Sequence, residues 1–101
     1  MNKLPNGTRI PTLEALNDAL ADGNTEFAIV LHGPVISRKT ITAHGTKYRV
    51  ESHIDDVTEI FTAERLLNPD DSNIGTAMKK GALIVYGRQP ALEALTQGVW
   101  D

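Results

Sequence analysis

The sequence predicts an α+β domain of two layers, an antiparallel sheet of about five strands with helices packed on one face. Three observations carry that prediction. Two apolar runs, EFAIVLH over 26–32 and ALIVY over 82–86, lack polar alternation and suit strands buried on both faces. Between them, VISRKTITAHGTKYRVESHI over 35–54 alternates around a turn signal. Separate stretches before and after the strands carry helix caps and stops, which supplies the helices of the second layer. With 101 residues, the prediction is a single domain over 1–101.

The first helix is predicted over 12–22, with Thr12 as N-cap, Leu13, Leu16 and Leu20 on one face, and Gly23 just past its end. The strand over 26–32 follows, and Gly33-Pro34 breaks it. A turn at His44-Gly45 then folds 35–54 into a hairpin. Pairing outward from that turn sets Ala43 opposite Thr46, Ile41 opposite Tyr48, Lys39 opposite Val50 and Arg38 opposite Glu51. One face carries Val35, Ile41, Ala43, Tyr48, Val50 and Ile54. The other carries Arg38, Thr40, Thr42, Lys47, Arg49, Glu51 and His53.

Asp55-Asp56 turns the chain again into a strand over 57–62, which sets Ile54 opposite Val57 and Val50 opposite Phe61 on the inner face. Thr62 caps a short helical segment ended by Asn68-Pro69. Ser72 or Asn73 caps another that runs through Lys80, with Gly81 in the left-handed position at its end. The strand over 82–86 is expected in a central place beside 26–32, and Gly87 closes it. A last helix starts at Pro90, turns Leu92 and Leu95 inward and stops at Gly98, with Trp100 stapling the end to the body.

Composition narrows the function classes. Hydrophobic residues make up 41% and charged residues 23% of the chain, the balance of a globular domain and not of a disordered one. One Trp, two Tyr and two Phe leave the core mostly aliphatic. A net charge of −3 argues against a dedicated nucleic-acid binder, which relies on cations that displace phosphate counterions. The absence of cysteine excludes disulfides, thiolate zinc sites and thiol catalysis. No window has the length of apolar sequence that a membrane-spanning helix needs, and MNKLPNGTRIPT lacks the apolar core of a signal peptide, so a cytoplasmic location is expected.

The titratable residues form no compact catalytic pattern. His32, His44 and His53 are not closely spaced: His44 reads as a turn residue, His53 as an outward strand residue and His32 as a strand end. A metal site would need His32 and His53 to converge with Asp55 or Glu59, and no compact ligand spacing is present. Asp55-Asp56 and Asp70-Asp71 read as turn and loop acids. Ser37, Ser52 and Ser72 lie in no nucleophile motif. No enzyme activity, cofactor or metal is therefore predicted.

Two binding features remain. Arg38, Lys47, Arg49, Glu51 and His53 form the one dense cationic cluster of an acidic chain, suited to a carboxylate or phosphate partner, although the same pattern is what a solvated strand face shows. The Ser72, Asn73 helix start is the alternative, an anion- or nucleotide-binding site, with simple helix capping as its plain explanation. An exposed Trp100 or an open strand edge would give a homodimer.

The stretches YRVESHIDDVTEIFT and SNIGTAMKKGALIVYG, within residues 47–87, resemble a pattern found in small uncharacterised proteins encoded by phages and prophages. The resemblance rests most on SNIGTAMKKGAL, and the segment past Gly87 departs from it. It implies a compact, acidic, cysteine-free α+β domain that binds and blocks a host protein, bacterial immune proteins among them. It carries over no functional residue. The resulting expectation is a non-enzymatic inhibitor in the host cytoplasm that binds a host protein of acidic surface.

Overall fold

The computed structural model describes residues 4–5, 7–30 and 36–86, with Ile36 by its backbone alone. His32, Gly33-Pro34, Val35, Gly87 and the tail helix with Pro90 and Trp100 lie outside the described residues.

Three helices and five strands follow one another as α1 (Leu13–Ala21), β1 (Glu26–Val30), β2 (Ile36–His44), β3 (Lys47–Ser52), β4 (Val57–Phe61), α2 (Ala63–Leu67), α3 (Ile74–Lys79) and β5 (Leu83–Val85). The strands form one antiparallel sheet in the order β4-β3-β2-β1-β5, so the predicted α+β class with five strands is the observed one. All three described helices contribute to one core with the inner face of the sheet. Leu16 and Ala19 of α1, Leu66 of α2 and Ile74 and Met78 of α3 pack with Phe27, Ile41, Val50, Phe61 and Leu83. Burial of this aliphatic surface is the main stabilising term.

The helix signals act where the sequence places them. Thr12 accepts from the Ala15 amide at 3.1 Å, and Thr62 accepts from the Arg65 amide at 3.2 Å. Gly23 at φ +88° and Gly81 at φ +67° supply the left-handed residues after α1 and α3. Just past α1, Asn24 is buried, donates from Nδ2 to the Ala19 carbonyl at 2.9 Å and accepts the Leu4 amide at 3.1 Å on Oδ1. It ties the N-terminal segment to the helix end. Asn24→Ala is expected to cost about 1 kcal/mol, the net worth of such bonds. A thermal melt superimposing on that of the parent chain would contradict this role.

Three local corrections follow from the strand pairing. The first turn is Gly45-Thr46, not His44-Gly45: Gly45 has φ +64°, and His44, which stays in β2, faces Lys47. A II′-type turn needs a positive φ at its first central residue only, and glycine adopts that without strain. The ladder therefore sets Ala43 opposite Tyr48, Ile41 opposite Val50 and Lys39 opposite Ser52. Arg38 and Glu51 are not cross-strand partners, because Thr40 faces Glu51.

The second turn occupies His53 to Asp56, with Asp56 at φ +56° and the Asp55 carboxylate accepting the Val57 amide at 3.3 Å. Ile54 sits in that turn and is 68% exposed, so it does not join the inner face. Val50 then faces Glu59, and Phe61 faces Tyr48.

The third correction concerns β5, which ends the sheet instead of lying in its centre. Its far side is nonetheless occupied. The amides of Gly7 and Ile10 donate to the Val85 and Leu83 carbonyls at 2.7 and 2.8 Å, and the Val85 amide donates to the Thr8 carbonyl at 2.8 Å. That N-terminal segment explains how a wholly buried apolar strand stands last in the sheet.

Candidate functional site

The outer face of β2 and β3 carries the predicted strip. Arg38, Thr40, Thr42 and His44 alternate along β2 with Lys47, Arg49 and Glu51 along β3, and cross-strand partners are Thr40 with Glu51, Thr42 with Arg49 and His44 with Lys47. His53 leaves β3 but remains beside it, its amide donating to the Arg38 carbonyl at 3.1 Å. Thus all five strip residues share one side of the sheet. They form an elongated band and not a cluster: the partner of Arg49 is Thr42, four positions along β2 from Arg38, about 13 Å at strand rise.

Within this band the interactions differ in kind. The Thr40 hydroxyl lies 2.7 Å from Glu26 Oε2 and 2.6 Å from His53 Nε2. Its single hydrogen goes to the carboxylate, which accepts only, so His53 Nε2 carries a proton and donates to Thr40. That chain fixes the His53 ring. Arg49 and Glu51 are 3.9 Å apart on the exposed surface, a pair too solvated to contribute much. Lys47 makes no ion pair among the described residues. Arg38 is half-buried, and its Nε lies out of contact with water without a hydrogen-bond partner. A buried donor left in that state costs about 1–3 kcal/mol.

On the other half of this outer face, over β1 and β5, a small apolar cluster forms. Ala28 and Ile84 are buried there with Val30 and Tyr86 packed against them.

A second feature lies on the inner face and was not anticipated. Lys39 alternates with Ile41 and Ala43, so it points to the helix side of the sheet, where it is 8% exposed. Its Nζ donates to Ser52 Oγ at 2.8 Å. Burial lowers the Lys39 amine below its ordinary value, and the nearby Asp55 carboxylate opposes that shift only in part. The amine sits in a cleft of about 210 Å³ closed by β4 on one side and the α2–α3 connection on the other. Parity was the available signal: a lysine two residues from Ile41 on one strand shares its face.

Ser72 and Asn73, the alternative anion site, line this same cleft. Ser72 Oγ accepts the Ile74 amide at 3.1 Å, while Asn73 makes no side-chain cap, so the serine does the capping. Asp55, Glu59 and Asp71 also line the cleft, which leaves three carboxylates against Lys39 and Arg65, the latter paired with Glu59 and Asp71. That balance repels an anion. Among the described residues no group of three or more His, Asp or Glu is placed to hold a metal ion, and none of the helices is long and apolar enough to cross a membrane.

The fold and these surfaces define a small α+β domain with a cationic band on the sheet face opposite its described helices and an acidic cleft behind it. No protein-family model, curated protein or solved structure matches the chain.

Proposed function

We propose that the chain is a non-enzymatic interaction protein of phage or mobile-element origin, which binds a host protein of acidic surface in the host cytoplasm and inhibits it by occupying that surface. Arg38, Lys47, Arg49, Glu51 and His53 form the contact. A host-defence component is the target class that the sequence resemblance implies.

The observation that carries this reading is the band itself, which places Arg38, Arg49 and Lys47 along one outer face of β2 and β3. A partner's carboxylates would pair with the exposed guanidinium of Arg49, whose planar fork suits them. His53 and Thr40 hold the neighbouring surface in place through Glu26. None of the described helices covers this part of the face, since α1, α2 and α3 all pack into the inner core.

The test starts from the host proteins retained by the chain and compares the identified partner against R38A/K47A/R49A. Each lost interfacial cation is worth about 1 kcal/mol, so the triple variant is expected to bind about 100–150-fold more weakly and with less salt dependence. Its thermal melt should stay close to the parent's, because these side chains lie outside the core. Unchanged affinity would remove the band from the interface.

A further inference from the structure

The four large apolar side chains that the described residues leave exposed, Ile54, Val57, Ile60 and Leu67, lie on β4, in the turn before it or on the helix after it. No other described part of the surface shows such a concentration. β4 also ends the sheet, and no described segment pairs with its far side as Gly7 to Ile10 does for β5.

Hydrogen-bond alternation identifies which groups this edge presents. A two-residue turn makes His44 and Lys47 a hydrogen-bonded pair, so Thr42 with Arg49 and Thr40 with Glu51 are bonded pairs as well. The His53 amide on the Arg38 carbonyl and the Ile41 amide on the Thr25 carbonyl obey the same parity. Tyr48, Val50 and Ser52 therefore turn their backbone groups to β4 and meet Phe61, Glu59 and Val57. The amides and carbonyls of Thr58 and Ile60 point away from the sheet. The Ile60 carbonyl indeed takes the Arg65 guanidinium, at 3.4 Å, from outside the ladder.

Charge selects the occupant. Asp55, Glu59 and Asp71 line the cleft behind the edge, and Asp56 and Asp70 are exposed beside two of them in the chain; Arg65 is the exposed cation on this cleft side, whereas Arg49 faces Ile60 on the outer side. Arg65 reaches Glu59 at 2.7 Å and Asp71 at 3.9 Å while its Nη1 bonds the edge carbonyl. From within the chain it already makes the contacts that a basic side chain on an added strand would make. A strand laid against β4 alternates its side chains between the cleft side, beside Glu59, and the outer side, beside Ile60.

We propose that the β4 edge is a docking site for an extended basic segment of a partner protein. The segment adds as a further strand through Thr58 and Ile60, directs Lys or Arg side chains toward Asp55, Glu59 and Asp71, and rests apolar side chains on Ile60. This is strand addition with backbone bonds supplying affinity and the cleft supplying selectivity. The edge adjoins the cationic band, because Arg49 and Glu51 are the cross-strand partners of Ile60 and Thr58, but Arg38 lies on β2 with β3 between it and the edge, so a change at Arg38 tests the band alone.

The probe is a fluorescein-labelled peptide of about eight residues alternating Lys with Val, set against the same peptide with Glu for Lys; a tenfold preference corresponds to about 1.4 kcal/mol. At least that preference for the Lys peptide is expected, with amide exchange slowed at Thr58 and Ile60 when it is bound. Thr58→Pro removes an amide that points off the sheet and spares the ladder to β3, so it should weaken peptide binding about tenfold or more while leaving the melt nearly unchanged. R38A, which lies two strands from the edge, should bind the peptide as the parent does.

Equal affinity for the two peptides, or exchange at Thr58 and Ile60 that does not slow, overturns the proposal. So does a dimer seen by light scattering that T58P abolishes, since the edge would then belong to a second copy of the chain.

Discussion

Gly75→Ala is expected to destabilise the domain by about 2 kcal/mol, against the usual direction for glycine in a helix. Alanine would gain about 1 kcal/mol of helix propensity in α3. Its Cβ, however, would lie 2.7, 2.8 and 2.9 Å from the carbonyl oxygen, Cα and carbonyl carbon of Leu67, all backbone atoms at the end of α2. Backbone cannot rotate away as a side-chain tip can, so the two helices must separate, and overpacking of this kind costs about 3 kcal/mol. The overlap wins. For a domain of this size the melting temperature should fall by roughly 8–16 °C. The same displacement shifts the connection that carries Asp71, Ser72 and Asn73, so the wall of the cleft moves with it. A melting temperature equal to or above the parent's would show that α2 and α3 can slide apart freely.

Why so much of the fold is legible in the sequence is clearest in the hairpin. The predicted and observed pairings differ by two positions, because the turn residues are Gly45-Thr46. A slip of one residue would exchange the faces, whereas a slip of two preserves them. Ile41, Tyr48 and Val50 are consequently buried as expected, although each has a different partner from the one predicted. The second turn shows the same effect. Its four residues move Phe61 from Val50 to Tyr48 without turning it outward. Alternation is a property of each strand alone, while register depends on turn conformation, which a dipeptide such as His44-Gly45 leaves open.

Sites are less legible for a related reason. The strip residues share a face because parity places them there, but the predicted contact between Arg38 and Glu51 needed the register and fails with it. His53 is held by Thr40, whose own hydroxyl is held by Glu26 on a third strand, a relation without any sequence spacing to reveal it. Arg65 is a further case. It follows a helix cap and looks like a surface residue, yet it stacks 5.0 Å from the Phe61 ring and reaches both the β4 edge and Asp71. Such convergence comes from the packing of α2 against the sheet. The placement of β5 last, covered by Gly7 to Ile10, likewise depends on a segment whose Pro and Gly content suggests only a loop.

Lys39→Met is expected to stabilise the domain by about 1–2 kcal/mol at neutral pH, since exchanging a buried charge for an apolar side chain of similar length is often favourable. Lys39 lies among Val50, Phe61 and Ile74, and methionine can follow the same path while losing only the bond to Ser52. The pH dependence separates this explanation from general repacking. Burial lowers the folded-state value below the unfolded one near 10.5, with Asp55 opposing it. Below the folded value both states hold the proton, and the cost of burying the ammonium is present in full. As pH rises from the folded value toward 10.5, the unfolded state binds more protons than the folded state, so the stability of the parent increases with pH. Methionine has no such dependence. The advantage of the variant should therefore be largest at neutral pH and shrink as the solution is made alkaline, when the amine in the cleft is neutral. Chemical denaturation of both proteins across that range measures the difference directly. A constant difference would mean that the Lys39 charge carries no cost in the fold, and a destabilised variant would mean that its bond to Ser52 and its attraction to Asp55 outweigh desolvation.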